Sequence, residues 1–172
     1  MVSPRRKPGV SWQHILEARS ADTMAHTHTR NLLHLVFATK DRTATITPTM
    51  QPKLEGYMVG ILQNLGVHLL RLNSVADHCH LLVDLPARLA LSDVVNKLKA
   101  NATRHINEEF PRQKFAWQRG YGAFSVSQSH ANMVIEYIAN QQEHHRRVPL
   151  AEELARLLEV YGFAGDPEFI DG

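Results

Sequence analysis

Two histidines one residue apart, His78 and His80, begin an apolar run that continues to Leu85. In an extended strand successive side chains point to opposite faces, so both imidazoles lie on one face and Cys79 lies on the other. A purely structural core has little reason to place two histidines on one face of a strand. Imidazole nitrogen is a common metal ligand, and the spacing therefore predicts half of a metal site on a rigid strand.

Tyr137 and Gln141 lie further along the chain, four residues apart in a segment with helical periodicity. Side chains at this spacing share one face of a helix and can reach the same small site. Two imidazoles and the amide oxygen of Gln141 would give a metal three ligands. Such a set leaves coordination positions open, which a catalytic metal requires.

A tyrosine beside such a metal indicates phosphoryl chemistry. A phosphate oxygen bound at an open position would be polarised, and the Tyr137 hydroxyl would be a candidate nucleophile. A free phenol has a pKa of about 10, so its attack needs a polarised phosphate or local activation. The expected reaction is a transesterification that forms a phosphotyrosine ester while the metal steadies the departing 3′ oxygen. The step retains the bond energy and can be reversed to rejoin DNA.

Hydrophobic periodicity predicts the elements that must position these residues. Runs of β-branched and aromatic residues predict strands at 32–39, 67–73, 77–85 and 121–127, the middle two paired as a hairpin. Apolar stripes at helical spacing predict helices at 48–65, at 92–110, from 127 or 129 onward, and after Pro149. Pro48 is predicted in the first helical turn, Gly66 just past the end of that helix, and Ser92 as the next N-cap.

The element order β-α-β-β-α-β-α predicts the α+β class. Its most economical arrangement is ferredoxin-like βαββαβ, an antiparallel four-stranded sheet with two helices on one face. The additional C-terminal helix, which bears Tyr137, has no place in that unit. It must pack on the sheet edge, on the open face of the sheet, or on a partner subunit.

Length and composition favour one domain. The chain has 172 residues, 44% of them hydrophobic, and no apolar run long enough to cross a bilayer. Without such a run, we expect no membrane partner. The single cysteine excludes an internal disulfide framework and predicts a protein of the reducing cytoplasm. We expect a loose N-terminal extension over 1–23, one domain over 24–148, and an acidic C-terminal helix and tail over 149–172.

Charge is unevenly distributed along the chain. The net charge is +2, but residues 150–172 carry −5 and the remainder carries +7. This permits a polyanionic partner without demanding one, since a solvated surface explains it equally well. The candidate phosphate contacts are Lys97, Lys99, Arg104, Arg112, Lys114, Arg119, Arg146 and Arg147. As a set they would give salt-dependent affinity for nucleic acid.

Two further residues have alternative interpretations. Tyr121 competes with Tyr137 as the reactive tyrosine, but it is flanked by glycines in a predicted strand and has no glutamine four residues on. His34 in the first strand either faces DNA or is a hydrogen-bonded core histidine, and we favour the core.

Four segments, taken in order, resemble a known family. They are 33–40 (LHLVFATK), 77–83 (DHCHLLV), 117–127 (WQRGYGAFSVS) and 137–141 (YIANQ). Together they resemble the HUH-class single-tyrosine transposases, and more closely their REP-associated relatives, over about 24–147. Cys79 is a mild departure, because the family has a bulky hydrophobe at that position.

The resemblance implies a small metal-dependent DNA endonuclease and strand transferase. Such proteins act as dimers on single-stranded DNA, often beside a hairpin, use Mg or Mn, and form a 5′-phosphotyrosine link. His78 and His80 match the metal histidines of the family. Gln141 matches the third ligand, and Tyr137 matches the nucleophile. Imidazole ligands suit Zn at least as well, so the choice of Mg or Mn rests on the resemblance.

Two other functions remain open at this point. The chain could be an immobile descendant that binds repetitive hairpin DNA or RNA without moving an element. It could also be a metal-dependent phosphoesterase that activates water, with Tyr137 only positioning the substrate. Because the tyrosine helix has no obvious place in one βαββαβ unit, a homodimer in which Tyr137 serves the partner's histidines is a further expectation.

Overall fold

The computed structural model of the protein describes residues 28–144 and 150–163. The strands are β1 (Leu32–Ala38), β2 (His68–Ser74), β3 (His78–Asp84) and β4 (Gly122–Ser125). The helices are α1 (Gln51–Leu65), α2 (Leu91–Glu109), α3 (Ala131–Ala139), α4 (Gln141–His144) and α5 (Leu150–Val160). The predicted extension over 1–23, the end of the predicted tail over 164–172, and Arg146 and Arg147 lie outside the described residues.

The sheet has the strand order β2-β3-β1-β4, and each neighbouring pair is antiparallel. β2 and β3 form the predicted hairpin, α1 connects β1 to β2, and α2 connects β3 to β4. This is the predicted ferredoxin-like α+β arrangement. The central pairing of β1 with β3 runs from Leu32 opposite Asp84 to Ala38 opposite His78. Among the described helices, none is long and apolar enough to cross a membrane.

One face of the sheet forms a core with α1 and α2. Alternation along the two central strands turns Leu35 and Phe37 of β1, with Cys79 and Leu81 of β3, to this face. The two helices meet them with apolar stripes. The buried members of those stripes include Leu54, Met58 and Leu62 of α1 and Val95, Leu98, Ala102 and Ile106 of α2. Removing this apolar surface from water is the main favourable contribution to folding.

The opposite face of the sheet is covered by α3 and α5 of the same chain. Ala131 and Ile138 of α3 pack against Leu32 and Leu82. α5 covers the neighbouring part of the face with Leu150, Leu154 and Leu158, which pack against Val36, Ala38 and Phe124. Of the three positions expected for the helix that bears Tyr137, the structure therefore shows the open face of the sheet. The central strands are therefore buried on both faces, because this second helical layer excludes water from the side that α1 and α2 leave open.

The start of α1 differs from the prediction. The helix begins at Gln51, with Pro52 rather than Pro48 in its first turn. Thr47 accounts for the difference, because it begins a separate turn before the helix. The Met50 N–H donates to the Thr47 carbonyl at 3.0 Å, and it also lies 3.3 Å from the Thr47 hydroxyl.

The predicted cap at Ser92 was wrong, whereas the predicted helix end at Gly66 is confirmed. α2 begins at Leu91 with Ala90 at its N-cap, so Ser92 lies inside the first turn and is not the cap. Gly66 ends α1 as predicted, in a left-handed conformation with φ of 72°. A residue without a Cβ adopts that conformation without steric cost.

Truncation of Ile138 to alanine tests the seating of α3 on the sheet. Ile138 is fully buried, so the substitution should lower the free energy of unfolding by about 2–5 kcal/mol. Met133 lies on the same helix but is 63% exposed, and Met133→Ala should change it by less than about 0.5 kcal/mol. Urea denaturation measures both. Equal effects of the two substitutions would show that α3 does not pack on this face.

Candidate active site

His78 and His80 project from β3 toward the layer formed by α3 and α5. They lie opposite Ala38 and Val36 of β1, both rings are buried, and their centroids are 5.0 Å apart. Cys79 points the other way and is buried in the core with α1 and α2. The two imidazoles therefore lie on one face of β3, as the strand alternation predicted.

Each of these histidines is held through its Nδ1 atom. His78 Nδ1 lies 2.6 Å from a carboxylate oxygen of Asp77, and His80 Nδ1 lies 3.0 Å from Nε2 of His34. Such partners fix the orientation of a metal-binding imidazole. With Nδ1 engaged, Nε2 is the atom through which each ring would bind a metal.

His34 is a buried hydrogen-bonded histidine, as we favoured, and does not face solvent. Its ring stacks on His80 with centroids 5.2 Å apart. Burial lowers the pKa of His34 to about 4, against an opposing effect of the Glu153 carboxylate. The imidazole is therefore neutral at pH 7, and its hydrogen bond to His80 joins one donor nitrogen to one acceptor nitrogen.

Tyr137 of α3 lies edge-on against these histidines. Its ring centroid is 6.0 Å from that of His80 and 6.1 Å from that of His34. The hydroxyl donates a hydrogen bond to Oε1 of Glu153. Burial raises the pKa of the Tyr137 hydroxyl, and the Glu153 carboxylate raises it further, while Gln141 and Arg156 oppose the shift. The phenol is thus neutral and must be activated before it can act as a nucleophile.

The single helix expected to carry Tyr137 and Gln141 is interrupted. α3 ends at Ala139, and α4 begins at Gln141 after Asn140, which has φ of −95° and ψ of 14°. The side chain of Asn73 on β2 explains this ending. Its Nδ2 donates to the carbonyls of residues 138 and 139 at 2.8 and 3.2 Å, in place of backbone N–H groups of a continuing helix.

Asn73 of β2 connects α3, which carries Tyr137, to β3, which carries His78 and His80. It lies directly opposite His80 in the β2–β3 register, and its amide fixes the last turn of the helix that carries Tyr137. The sequence analysis did not identify this residue, because its role depends on strand register and on the position of α3. A polar residue at the end of an apolar strand was the available signal.

Gln141 is fully buried despite the interruption. At hydrogen-bond distance, neither its amide oxygen nor its amide nitrogen has a partner among the described residues. The amide is nevertheless close enough to Tyr137 to oppose the rise in the pKa of that hydroxyl. A buried amide without a partner costs free energy, so it indicates a bound group that the amide oxygen would satisfy.

Glu153 is the site residue that the sequence analysis missed. It is buried on α5, and its Oε1 lies 3.4 Å from Nε2 of His80. His78, His80 and Glu153 each offer a ligand atom within 4.8 Å of the others, which suits a divalent cation. The sequence held one indication of its role, because Glu153 lies among the apolar residues Leu150, Leu154 and Leu158 of α5. The prediction treated this helix only as part of an acidic tail.

The described members of the predicted DNA-contacting set lie on α2 or in the loop that follows it. Those described are Lys97, Lys99 and Arg104 on α2 and Arg112, Lys114 and Arg119 in the following loop. Lys99 is half-buried and donates to the backbone carbonyls of residues 118–120 at 2.6, 3.2 and 2.8 Å. The other five are exposed. α2 packs across the sheet from Tyr137, and contact of this set with phosphates stays a prediction.

Known proteins resemble this chain over most of its described length. The model of a family described as "Transposase IS200 like" matches residues 27–141. The chain is 27% identical over 127 residues to the transposase for insertion sequence element IS200 of Salmonella typhimurium, covering 70% of this chain and 83% of that protein. It is 23% identical over 116 residues to the ISDra2 transposase TnpA of Deinococcus radiodurans, covering 64% of this chain and 83% of that one.

A solved structure shares the fold. The structure of a REP-associated tyrosine transposase bound to a REP hairpin superposes with a TM-score of 0.55 at 11% identity. The match covers 73% of this chain and 76% of that one. At this identity the likeness concerns the fold alone, and it agrees with the four-stranded sheet described above.

Replacing His34 with glutamine should flatten the pH dependence of stability in the metal-free protein. The folded pKa of about 4 lies below the ordinary value of 6.5, so between these values the unfolded chain binds more protons. The contribution of neutral His34 is complete above pH 6.5 and is lost as the pH falls toward 4. A shift of this size corresponds to about 3 kcal/mol.

Urea denaturation in EDTA at pH 7 and at about pH 4.5 measures this effect. The decrease in the free energy of unfolding between the two values should be smaller for His34→Gln than for the wild type. His68→Gln, at an exposed histidine of β2, should keep the wild-type profile. Parallel profiles for His34→Gln and wild type would show that His34 does not titrate as described.

Proposed function

Because the chain belongs to the IS200-like transposase family, we propose that it cleaves and rejoins single-stranded DNA through a 5′-phosphotyrosine intermediate on Tyr137. The family makes the protein a DNA transposase. One observation carries the finer proposal, which is that the Tyr137 ring lies against His80 and His34 in a buried polar cluster of the same chain.

The proposed chemistry is a phosphoryl transfer to the tyrosine. The Tyr137 oxygen forms a bond to phosphorus as the bond to the 3′ oxygen breaks. The hydroxyl proton leaves the tyrosine, and the departing 3′ oxygen takes up a proton. The reverse attack by a 3′ hydroxyl rejoins DNA, since the phosphotyrosine ester retains the bond energy.

Tyr137 suits this role better than the competing tyrosine. Tyr121 packs with the core beneath α1 and α2, on the face of the sheet away from the histidines. Tyr137 is half-buried, and its hydroxyl is held against the polar cluster by its hydrogen bond to Glu153. Asn73 limits the movement of its helix by binding two carbonyls at the end of α3.

We propose that His78, His80 and Gln141 hold the metal, which is Mg or Mn. Engagement of both Nδ1 atoms and the unsatisfied amide of Gln141 support this ligand set. When bound, a divalent ion would polarise the phosphate and stabilise the departing oxygen. Oxygen ligands from Gln141, phosphate and water favour Mg or Mn, whereas imidazoles alone suit Zn equally well.

The proposed substrate is single-stranded DNA with a hairpin beside the cleavage site. A protein of the same fold is bound to a REP hairpin, which supports this proposal. We propose that the protein works in the cytoplasm as a homodimer, with Tyr137 acting on a phosphate held by the histidines of its own chain. The contacts between Tyr137 and His80 within one chain support action in cis.

A metal-dependent phosphoesterase is the second candidate. The raised pKa of Tyr137 and its hydrogen bond to Glu153 favour a neutral phenol, which is a weak nucleophile. In that case activated water would attack the phosphate, and Tyr137 would only position it.

A covalent-adduct assay separates these functions. A hairpin oligonucleotide labelled on the 3′ side of the cleavage site, incubated with wild type and Mn²⁺ or Mg²⁺, should give a slow band on a denaturing gel. EDTA and Tyr137→Phe should each abolish the band, because one removes the metal and the other the nucleophile. Tyr121→Phe should retain it.

The same gel distinguishes the alternatives. Adduct formation by Tyr137→Phe would show that the nucleophile is wrong. Hydrolysed ends without any adduct would indicate a phosphoesterase, and EDTA-resistant binding without cleavage would indicate an immobile binding protein. An equimolar mixture of His80→Ala and Tyr137→Phe should stay inactive if Tyr137 acts in cis, and recovered adduct would show sharing between subunits.

A further inference from the structure

The C-terminal helix α5 places a carboxylate inside the histidine cluster. Glu153 is only 4% exposed, although Glu152 beside it is exposed. It shares the buried face of α5 with the apolar residues Leu154 and Leu158. This face packs on the sheet next to the histidines, so the position of Glu153 is fixed by the same contacts that seat the helix.

Burial of a carboxylate at this position needs a compensating interaction. Removing an ionised carboxylate from water costs several kcal/mol unless charge or hydrogen bonds replace the lost hydration. In the described structure Glu153 accepts a hydrogen bond from Tyr137 and lies against His80. Both are groups of the proposed reaction centre, which indicates that the carboxylate serves that centre.

The spacing of the donor atoms fits one shared cation. Ligand atoms bound to one divalent ion at about 2.0–2.2 Å are about 3.0–3.5 Å from each other. Oε1 of Glu153 is 3.4 Å from Nε2 of His80. The ligand atom of His78 belongs to the same group, in which all separations are within 4.8 Å. The Glu153–His80 pair is already at the separation of two ligands of one ion, and a contraction around the ion would bring the His78 atom to it.

We propose that Glu153 is a ligand of the metal held by His78 and His80, and that α5 is therefore part of the active site. This inference rests on the proposed function, since it concerns the same metal. The two imidazoles and the Gln141 amide are neutral ligands, whereas Glu153 adds a negative charge and a hard oxygen. Both properties strengthen binding of Mg²⁺ or Mn²⁺ and reduce the advantage that nitrogen ligands give to Zn²⁺.

Manganese binding to the DNA-free protein tests this proposal. The six-line electron paramagnetic resonance signal of free Mn²⁺ disappears on binding, so a titration gives the Kd. Glu153→Gln should weaken binding at least tenfold, because it retains the shape and removes the charge. Glu152→Gln makes the same chemical change at the exposed neighbouring position and should alter the Kd less than twofold.

Two further measurements keep the test decisive. Nitrogen couplings from histidine in pulsed spectra should be present in wild type and in any residual complex of Glu153→Gln, which shows that the ion stays on the imidazoles. Glu153→Asp retains the charge on a shorter side chain and should bind with intermediate affinity. If thermal unfolding shows that Glu153→Gln does not fold, the affinity of Glu153→Asp for Mn²⁺ provides the test instead.

The proposal is overturned if Glu153→Gln binds Mn²⁺ as tightly as wild type. Tighter binding by this variant would overturn it too and would show that the carboxylate competes with the ion. Absence of histidine couplings in wild type would place the ion elsewhere. None of these readouts depends on strand transfer, so failure of the adduct assay and failure of this proposal are distinguishable.

Discussion

The antiparallel pairing of β1 with β3 is the constraint on which the site depends. Its register places His78 and His80 on the same face as His34. A shift of one residue would turn the imidazoles of β3 into the apolar core and bring Cys79 and Leu81 to the other face. The hydrogen bond between His34 and His80 requires this register. So do the contacts that Tyr137 of α3 and Glu153 of α5 make with His80.

The site is also a consequence of burying the second face of the sheet. This face carries Leu32, Val36, Ala38 and Leu82 beside the histidines, and α3 and α5 cover it on the side opposite α1 and α2. The covering helices then bring Tyr137 and Glu153 onto the histidines. The same packing that stabilises the fold thus assembles the candidate site and buries its polar groups, which strengthens electrostatic interactions among them.

Much of this arrangement could be predicted from local sequence patterns. Strand alternation gave the shared face of His78 and His80, and the element order gave the ferredoxin-like fold. The break at Asn140 and the burial of Glu153 could not be predicted in this way. Both depend on contacts between distant segments, namely the Asn73 amide with the end of α3 and the apolar stripe of α5 with the sheet.

The central claim is that this buried cluster is the metal-dependent reaction centre of a transposase. Crystals of the wild-type protein soaked in Mn²⁺, measured above the manganese absorption edge, test it most directly. The account predicts one strong anomalous peak at bonding distance from Nε2 of both His78 and His80, on the side that faces Tyr137. Manganese bound elsewhere, with both Nε2 atoms uncoordinated, would contradict it.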